Sequence, residues 1–385
     1  MLKRSLFNDE HEMFRDSVRK FIEREITPFH AEWEKAGIVP RALWLKAGEA
    51  GLLCTNISEE FGGLGAGFLY NVVMTEELAR AGVTGPGFLV HSDLVAPYIN
   101  SFGSDAQKRR WLPPMVRGEV IGALGMTEPG AGSDLKAIRT HALREGDEYV
   151  INGQKVYISN GQLCDVIVLA CKTDPEAGAR GMSLILVESD RKGFVRGRNL
   201  EKIGLKAQDT SELFFNDVRV PVDNLLGQEG HAFAMAMRNL GEERLSIAIS
   251  AISTVEAVIG WTVEYTRGRK AFGQPIGNFQ NTRFKLAELA AQSSALRVYV
   301  DACIAEHLEG RLDAVEAAKA KMLCTELQCR AVDDCLQFFG GYGYMLEYPI
   351  ARAYIDARVR RIAGGSSEIM REIIGRDLFD AAPAR

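Results

Sequence analysis

The chain has 385 residues, 46% of them hydrophobic and 25% charged, with a formal net charge of −5. One core does not fill that length, so two or three subdomains are expected, and the interspersed acids and bases leave no basic footprint for nucleic acid or a membrane surface. An amphipathic pattern starts at once, with no apolar leader and no uninterrupted 18-residue apolar run, so a cytoplasmic protein of bacterial type is expected, or a mitochondrial matrix protein if this is a mature eukaryotic form.

From Asp9 to about Arg117 the apolar spacing is helical: Phe14, Val18, Phe21 and Ile22 form one stripe, Leu43 to Leu53 another, and VVMTEELARA a third, with GGLGAG (62–67) as a connector. From about Val120 to Val220 short β-branched runs such as KVYIS, DVIVLACK and ELFFNDVRV predict an antiparallel β unit. Beyond Pro221 helical patterns return over 230–267, 277–308, 313–339 and 350–379, which predicts an antiparallel four-helix bundle. The chain therefore reads as α+β, with units at 1–119, 120–229 and 230–385.

Seven cysteines without a CxxC pair, and six isolated histidines, predict neither a disulfide framework nor a metal site. GGLGAG lacks the GxGxxG spacing and a preceding strand, FGGYGY follows a helix, and there is no P-loop or GxSxG elbow, so a bound nucleotide must be held in some other way.

Two places ask for chemistry. In NLGEERLSIAI, Leu240, Glu243, Ile247 and Ser250 recur at three-and-four spacing, which puts a carboxylate on an inward stripe. The ordinary reading is a rim glutamate paired with Arg244 or a neighbouring helix, and Glu242, about 100° round the helix, is the competitor. In RIAGGSSEIM, Ser366 and Ser367 suit a helix N-cap with Ile369, Ile373 and Ile374 behind them, yet the pair Gly364 and Gly365 gives more freedom than a turn needs.

In order along the chain, MTEPGAGSDL (126–135), KVYISNG (155–161), ERL (243–245), GRKAFGQPIGNFQ (268–280), QFFGGYGY (337–344) and GGSSEIM (364–370) resemble the acyl-CoA dehydrogenase family over essentially its whole length, nearest its long-chain branch. The resemblance implies a helical N-terminal domain, a central antiparallel β domain and a C-terminal four-helix bundle. It implies FAD, with Leu124, Met126, Thr127, Gly132 and Ser133 around the flavin, and with the Tyr157 ring, Ile158 and Ser159 against the isoalloxazine. Arg269, Ala271, Phe272, Phe279 and Gln280, with Gln337, Gly340 and Gly341, would hold the pyrophosphate and adenine half of an FAD bound to a neighbouring subunit, where a guanidinium fork suits a pyrophosphate. Ser366, Ser367 and Glu368 would complete the site. A homo-oligomer follows, expected as a tetramer built from two dimers.

Many members of the family carry a glutamate base at the position of Gly364, whereas the long-chain and isovaleryl branches carry it on the first bundle helix, the place of Glu243. On that reading Ser133, Gly241, Glu243, Arg244, Gly364 and Gly365 meet an acyl-CoA substrate. Glu243 removes the α-proton, Arg244 orients it, and Gly364 both clears space and offers its N–H to the thioester carbonyl, together with the ribityl 2′-hydroxyl. The implied product is a trans-2-enoyl-CoA and the implied electron acceptor an electron-transfer flavoprotein. Ser92 and Ala96, in the segment 87–103, are expected at the far end of the acyl cavity. An acyl-CoA oxidase, a flavin monooxygenase or nitroalkane oxidase, and a non-catalytic scaffold share the fold and stay open, as does the acyl chain length.

Overall fold

The computed structural model describes residues 3–380. Six helices come first: α1 (Asp9–Phe21), α2 (His30–Ala36), α3 (Arg41–Glu49), α4 (Phe68–Ala81), α5 (Ala96–Phe102) and α6 (Asp105–Val116). Helix α1 starts where Asn8 accepts from the His11 N–H, and its Val18 and Phe21 turn into the core as their spacing requires. The segment 87–103 is not one uniform helix, because a π-helical stretch at Val90–Val95 precedes α5 and shifts its face by part of a turn.

Strands β1 (Gly122–Gly125), β2 (His141–Glu145), β3 (Glu148–Ser159), β4 (Val166–Lys172), β5 (Met182–Glu188), β6 (Phe194–Asn199), β7 (Thr210–Pro221) and β8 (Leu225–Leu226) form one sheet. It is not purely antiparallel, since β1 pairs with β4 in parallel, from Gly122 opposite Val166 to Gly125 opposite Leu169. Along β4 the faces alternate: Val166, Val168 and Ala170 pack into the core shared with the N-terminal helices, and Ile167, Leu169 and Cys171 pack into the core of the β domain. The β3–β7 register slips between Lys155 and Ile158, and within that irregularity Tyr157 takes φ +61°.

The C-terminal part holds α7 (Ala232–Gly268), a small hairpin of β9 (Lys270–Ala271) and β10 (Gln274–Pro275), then α8 (Gln280–Leu308), α9 (Ala314–Phe339), α10 (Pro349–Ala357) and α11 (Ser367–Asp380). The helix read over 350–379 is thus two helices. Gly364 at φ +66° and Gly365 at φ +90° lie in the left-handed region, which ends any right-handed helix there. Helix α7 is long and apolar enough to cross a membrane by length and composition. Here that apolar surface is packed against α4, α8 and α9, most extensively against α9, and small buried residues are frequent on both sides: Ala248 and Ala251 on α7, Ala320, Cys324 and Ala331 on α9.

A buried ion cluster joins these helices to the N-terminal domain. Glu76 of α4 is fully buried and meets Arg4, Arg15 and Arg297, while Arg297 of α8 also grips Glu256 of α7 at 2.7 Å. Burial pushes the Glu76 carboxyl up, but the arginines around it hold it below the usual carboxylate range.

Candidate active site

Glu243 is 9% exposed, on the inward face that its spacing requires. Its Oε1 accepts from the Tyr98 hydroxyl of α5 at 3.4 Å. Burial raises the carboxyl to about 7, against the lowering effects of the Tyr98 bond and the Arg244 charge. The competitor Glu242 is turned toward α8, where its Oε2 lies 3.4 Å from His307 Nε2. Arg244 does not pair with Glu243 as the ordinary reading of that glutamate has it: it is 4% exposed, and its Nε and Nη1 have no partner among the described residues. Consecutive residues on a helix point about 100° apart, so Arg244 acts on the carboxylate through its field rather than through an ion pair.

The glycine turn lies against the same helix. A Cβ built on Gly364 would come within 2.3 Å of Ile247 Cδ1, one turn along α7 from Glu243. The space expected to be left open by the missing side chain is therefore filled by Ile247, while the Gly364 N–H has no protein acceptor among the described residues. Ser366 caps α11 by accepting the Ile369 N–H, Ser367 Oγ donates to Glu326 at 2.8 Å, and Glu368 is exposed at the helix start.

On the β domain, Thr127 accepts the Val156 N–H at 2.9 Å through its carbonyl, tying the 126–135 loop to β3 beside Tyr157. Lys155, buried, donates to the Met126 carbonyl at 3.1 Å and to Glu128 at 2.8 Å, which fixes the loop's base. Tyr157 is 68% exposed, so the expected ring stands out from the sheet rather than pairing across it. Gly132 has nothing within 4 Å of a built Cβ, so packing within the chain does not demand a glycine there. Leu124 and Ser159 are half-buried, Ile158 is buried, and Ser133 is exposed. Gly241, on the open side of α7, likewise has no neighbour at a built Cβ.

A third group lies at the other end of α7. Arg269, Gln337, Gly340 and Gly341 line one cleft of about 440 Å³ with Tyr265 and Tyr342. Phe272, on the β9–β10 turn beside Ala271, is 95% exposed at φ +52°, and its ring centroid lies 6.2 Å from that of Phe279, next to Gln280. Gly268, where α7 ends, is roughly 38 Å from Glu243 at 1.5 Å rise per residue, a span no single dinucleotide bridges. The residues would suit a flavin dinucleotide in two separate halves: an aromatic and backbone-amide surface on the β domain at Thr127 and Tyr157, and a cationic, glycine-lined cleft at the C-terminal end of α7.

Residues 8–119 match the acyl-CoA dehydrogenase N-terminal domain, 123–218 its middle domain and 230–379 its C-terminal domain. The chain belongs to the acyl-CoA dehydrogenase family. It is 50% identical to the mitochondrial long-chain specific acyl-CoA dehydrogenase of Sus scrofa over 97% of this chain and 88% of that protein. It is 36% identical to the mitochondrial isovaleryl-CoA dehydrogenase of Oryza sativa subsp. japonica, over 97% of this chain and 92% of that one. The structure of an acyl-CoA dehydrogenase from Geobacillus kaustophilus superposes with a TM-score of 0.96 at 48% identity, covering 98% of this chain and 100% of that one.

In this acyl-CoA dehydrogenase family member two neighbours of the site had no motif to mark them. Tyr98 reaches Glu243 across 145 positions of sequence, and a tyrosine in an amphipathic segment reads as ordinary core. Lys321, fully buried under the glycine turn, reads by its type as a surface residue. Ser92 and Ala96 also part from expectation. Ser92 accepts the Cys54 N–H and lines an enclosed void of about 10 Å³ with Asn71 and Asp93, which suits one water rather than an acyl chain, and Ala96 is buried in the core.

Proposed function

We propose that the chain catalyses FAD-dependent α,β-dehydrogenation of an acyl-CoA thioester to a trans-2-enoyl-CoA, in fatty-acid or branched-chain catabolism. One observation carries this reading: a buried carboxyl held near 7, on the helix against which a glycine turn with a free N–H is packed. A base titrating near neutrality matches removal of a proton next to a thioester carbonyl. The Gly364 N–H, given to that carbonyl, stabilises the charge that develops as Glu243 takes the α-proton. Tyr98 keeps the carboxylate in one place and favours its ionised form. FAD, when bound, supplies the acceptor for the hydride leaving the β-carbon.

Thr127, Tyr157 and Ser159 would hold the flavin end, and Arg269, Phe272, Gln337 and Gly341 the pyrophosphate and adenine end. Because Arg269 follows the end of α7, roughly 38 Å along the helix from the Glu243 that the flavin would face, the two groups would serve different cofactors, which supports a homo-oligomer, proposed as a tetramer. Electron-transfer flavoprotein is the proposed acceptor, on the family resemblance, and the 50% identity to a long-chain enzyme supports a long acyl chain. The test is Glu243→Gln, which keeps shape and packing. Anaerobic titration with C4, C8, C12, C16 and isovaleryl-CoA, followed by flavin absorbance, should find the variant folded and yellow but reduced about 10³-fold more slowly than wild type. Reduction at the wild-type rate would overturn the assignment.

A further inference from the structure

Lys321 lies on α9, 0% exposed, and donates its ammonium to the Gly365 carbonyl. Five residues along α9, Glu326 accepts from Ser367 Oγ at 2.8 Å and pairs with Arg361, Nη2 to Oε2, at 2.7 Å. The glycine turn is therefore held from α9 at its middle and on both flanks. Arg361 and Glu326 are partly open to water, whereas Lys321 is closed off completely. Burying a cation to satisfy one carbonyl is a costly way to fill space, and a methionine would fill the same volume. What the lysine adds is a charged donor at one chosen peptide oxygen.

That oxygen matters because glycine leaves the turn free to adopt other conformations, and no side chain of its own restrains it. A trans peptide is planar, with its C=O and N–H pointing opposite ways. Holding the Gly365 carbonyl toward α9 therefore aims the Ser366 N–H away from it and anchors one end of the two-glycine turn, which narrows the range open to the Gly364 amide at its other end.

We propose that Lys321 is a positioning residue for the dehydrogenation: it locks the Gly365–Ser366 peptide in one orientation and thereby holds the Gly364 N–H at the thioester carbonyl. The proposal rests on the acyl-CoA reading above. The charged groups facing Lys321 are Arg244 of α7, Glu326 of α9, Arg360 ahead of the turn and Glu368 of α11. Burial first, and the Arg244 charge next, bring the ammonium down to about 8. As pH rises past that value the charge assistance of the bond is lost, while Glu243, ionised above about 7, remains a base. Activity then rises through the Glu243 titration and falls through that of Lys321.

The experiment is Lys321→Met in the purified holoenzyme. An acyl-CoA with sulfur in place of its β-carbon can lose its α-proton but cannot be dehydrogenated, so its α-proton exchange in D₂O, read by NMR, reports Glu243 and the Gly364 N–H without flavin reduction. Exchange and kcat should both fall by about 10- to 100-fold, KM and FAD content should stay near wild type, and the alkaline limb of kcat/KM should disappear. Wild-type exchange, or a loss confined to KM, would overturn the proposal. Should the variant not accumulate as yellow protein, the wild-type enzyme decides, because a kcat/KM profile flat from about pH 8 to about pH 10 also overturns it. Failure of the underlying reading shows differently: Glu243→Gln would then exchange the α-proton at the wild-type rate whatever residue stands at 321.

Discussion

Tyr98→Phe removes one hydroxyl and leaves the ring in place beside Phe102. That hydroxyl donates to Glu243 Oε1 at 3.4 Å, long for an O–H···O bond, whose usual length is about 2.7 Å. Hydrogen bonds to charged groups contribute roughly 1.5–3 kcal/mol at good geometry, so about 1 kcal/mol fits this one. It favours the ionised carboxylate, and about 1.4 kcal/mol corresponds to one pKa unit, so its loss raises Glu243 by about 0.7 unit. The wild-type carboxyl titrates at about 7, and Glu243 must be ionised to act, so the rising limb of kcat/KM moves to higher pH. By this reckoning the variant is about fourfold slower at about pH 6.5 and nearly equal at about pH 9. Stopped-flow flavin reduction across that range measures it. A rising limb that stays in place, moves to lower pH, or drops equally at every pH would refute the reasoning.

Moving the base back to the turn, as Glu243→Gly with Gly364→Glu, should recover little activity, since a side chain at φ +66° is strained and the new Cβ has to displace the end of Ile247. Adding Ile247→Ala should recover part of the activity, and flavin reduction by a straight-chain acyl-CoA checks both. Arg269→Ala should lose FAD on gel filtration, measured as the ratio of flavin to protein absorbance, and full retention would remove Arg269 from the cofactor site. Arg297→Met leaves Glu76 and Glu256 buried with less counter-charge, so stability should fall by about 3–5 kcal/mol, seen as a lowered Tm. Because arginines hold the Glu76 carboxyl below its usual range, their stabilising effect is present above the unfolded carboxyl value and is lost as pH falls through the folded one. The Tm gap between wild type and variant should therefore narrow in acid.

The layered architecture was legible because period-2 and period-3.6 patterns occupy separate stretches, and the inward position of Glu243 was legible from its three-and-four spacing, while its reading as a base came from the family resemblance. The helix start after the glycine pair was legible in Ser366 and Ser367, whereas the spacing over 350–379 ran the two helices together, since periodicity records which face is apolar and says nothing of the sign of φ. The β1–β4 pairing was hidden too: a four-residue strand carries no signal of its direction, and its partner lies beyond two intervening strands. That Arg244 makes no ion pair with Glu243 follows from helix geometry, because adjacency in sequence is not adjacency on a helix. Tyr98 and Lys321 depend on packing between helices far apart in the chain, which no local window records.

The close seam between α7 and α9 reaches beyond stability. Since Glu243 is borne by one of these rods and Lys321 by the other, the crevice between their small side chains sets how far the base stands from the residue that holds the glycine turn. Two added methyls, as in Ala320→Val, have to push the rods apart or twist them, and a displacement of about 1 Å at a reacting group can lower a rate about 100-fold. Alleles that impair turnover by more than their loss of stability explains should therefore gather along this seam, and a survey confined to residues that touch the thioester would pass over them.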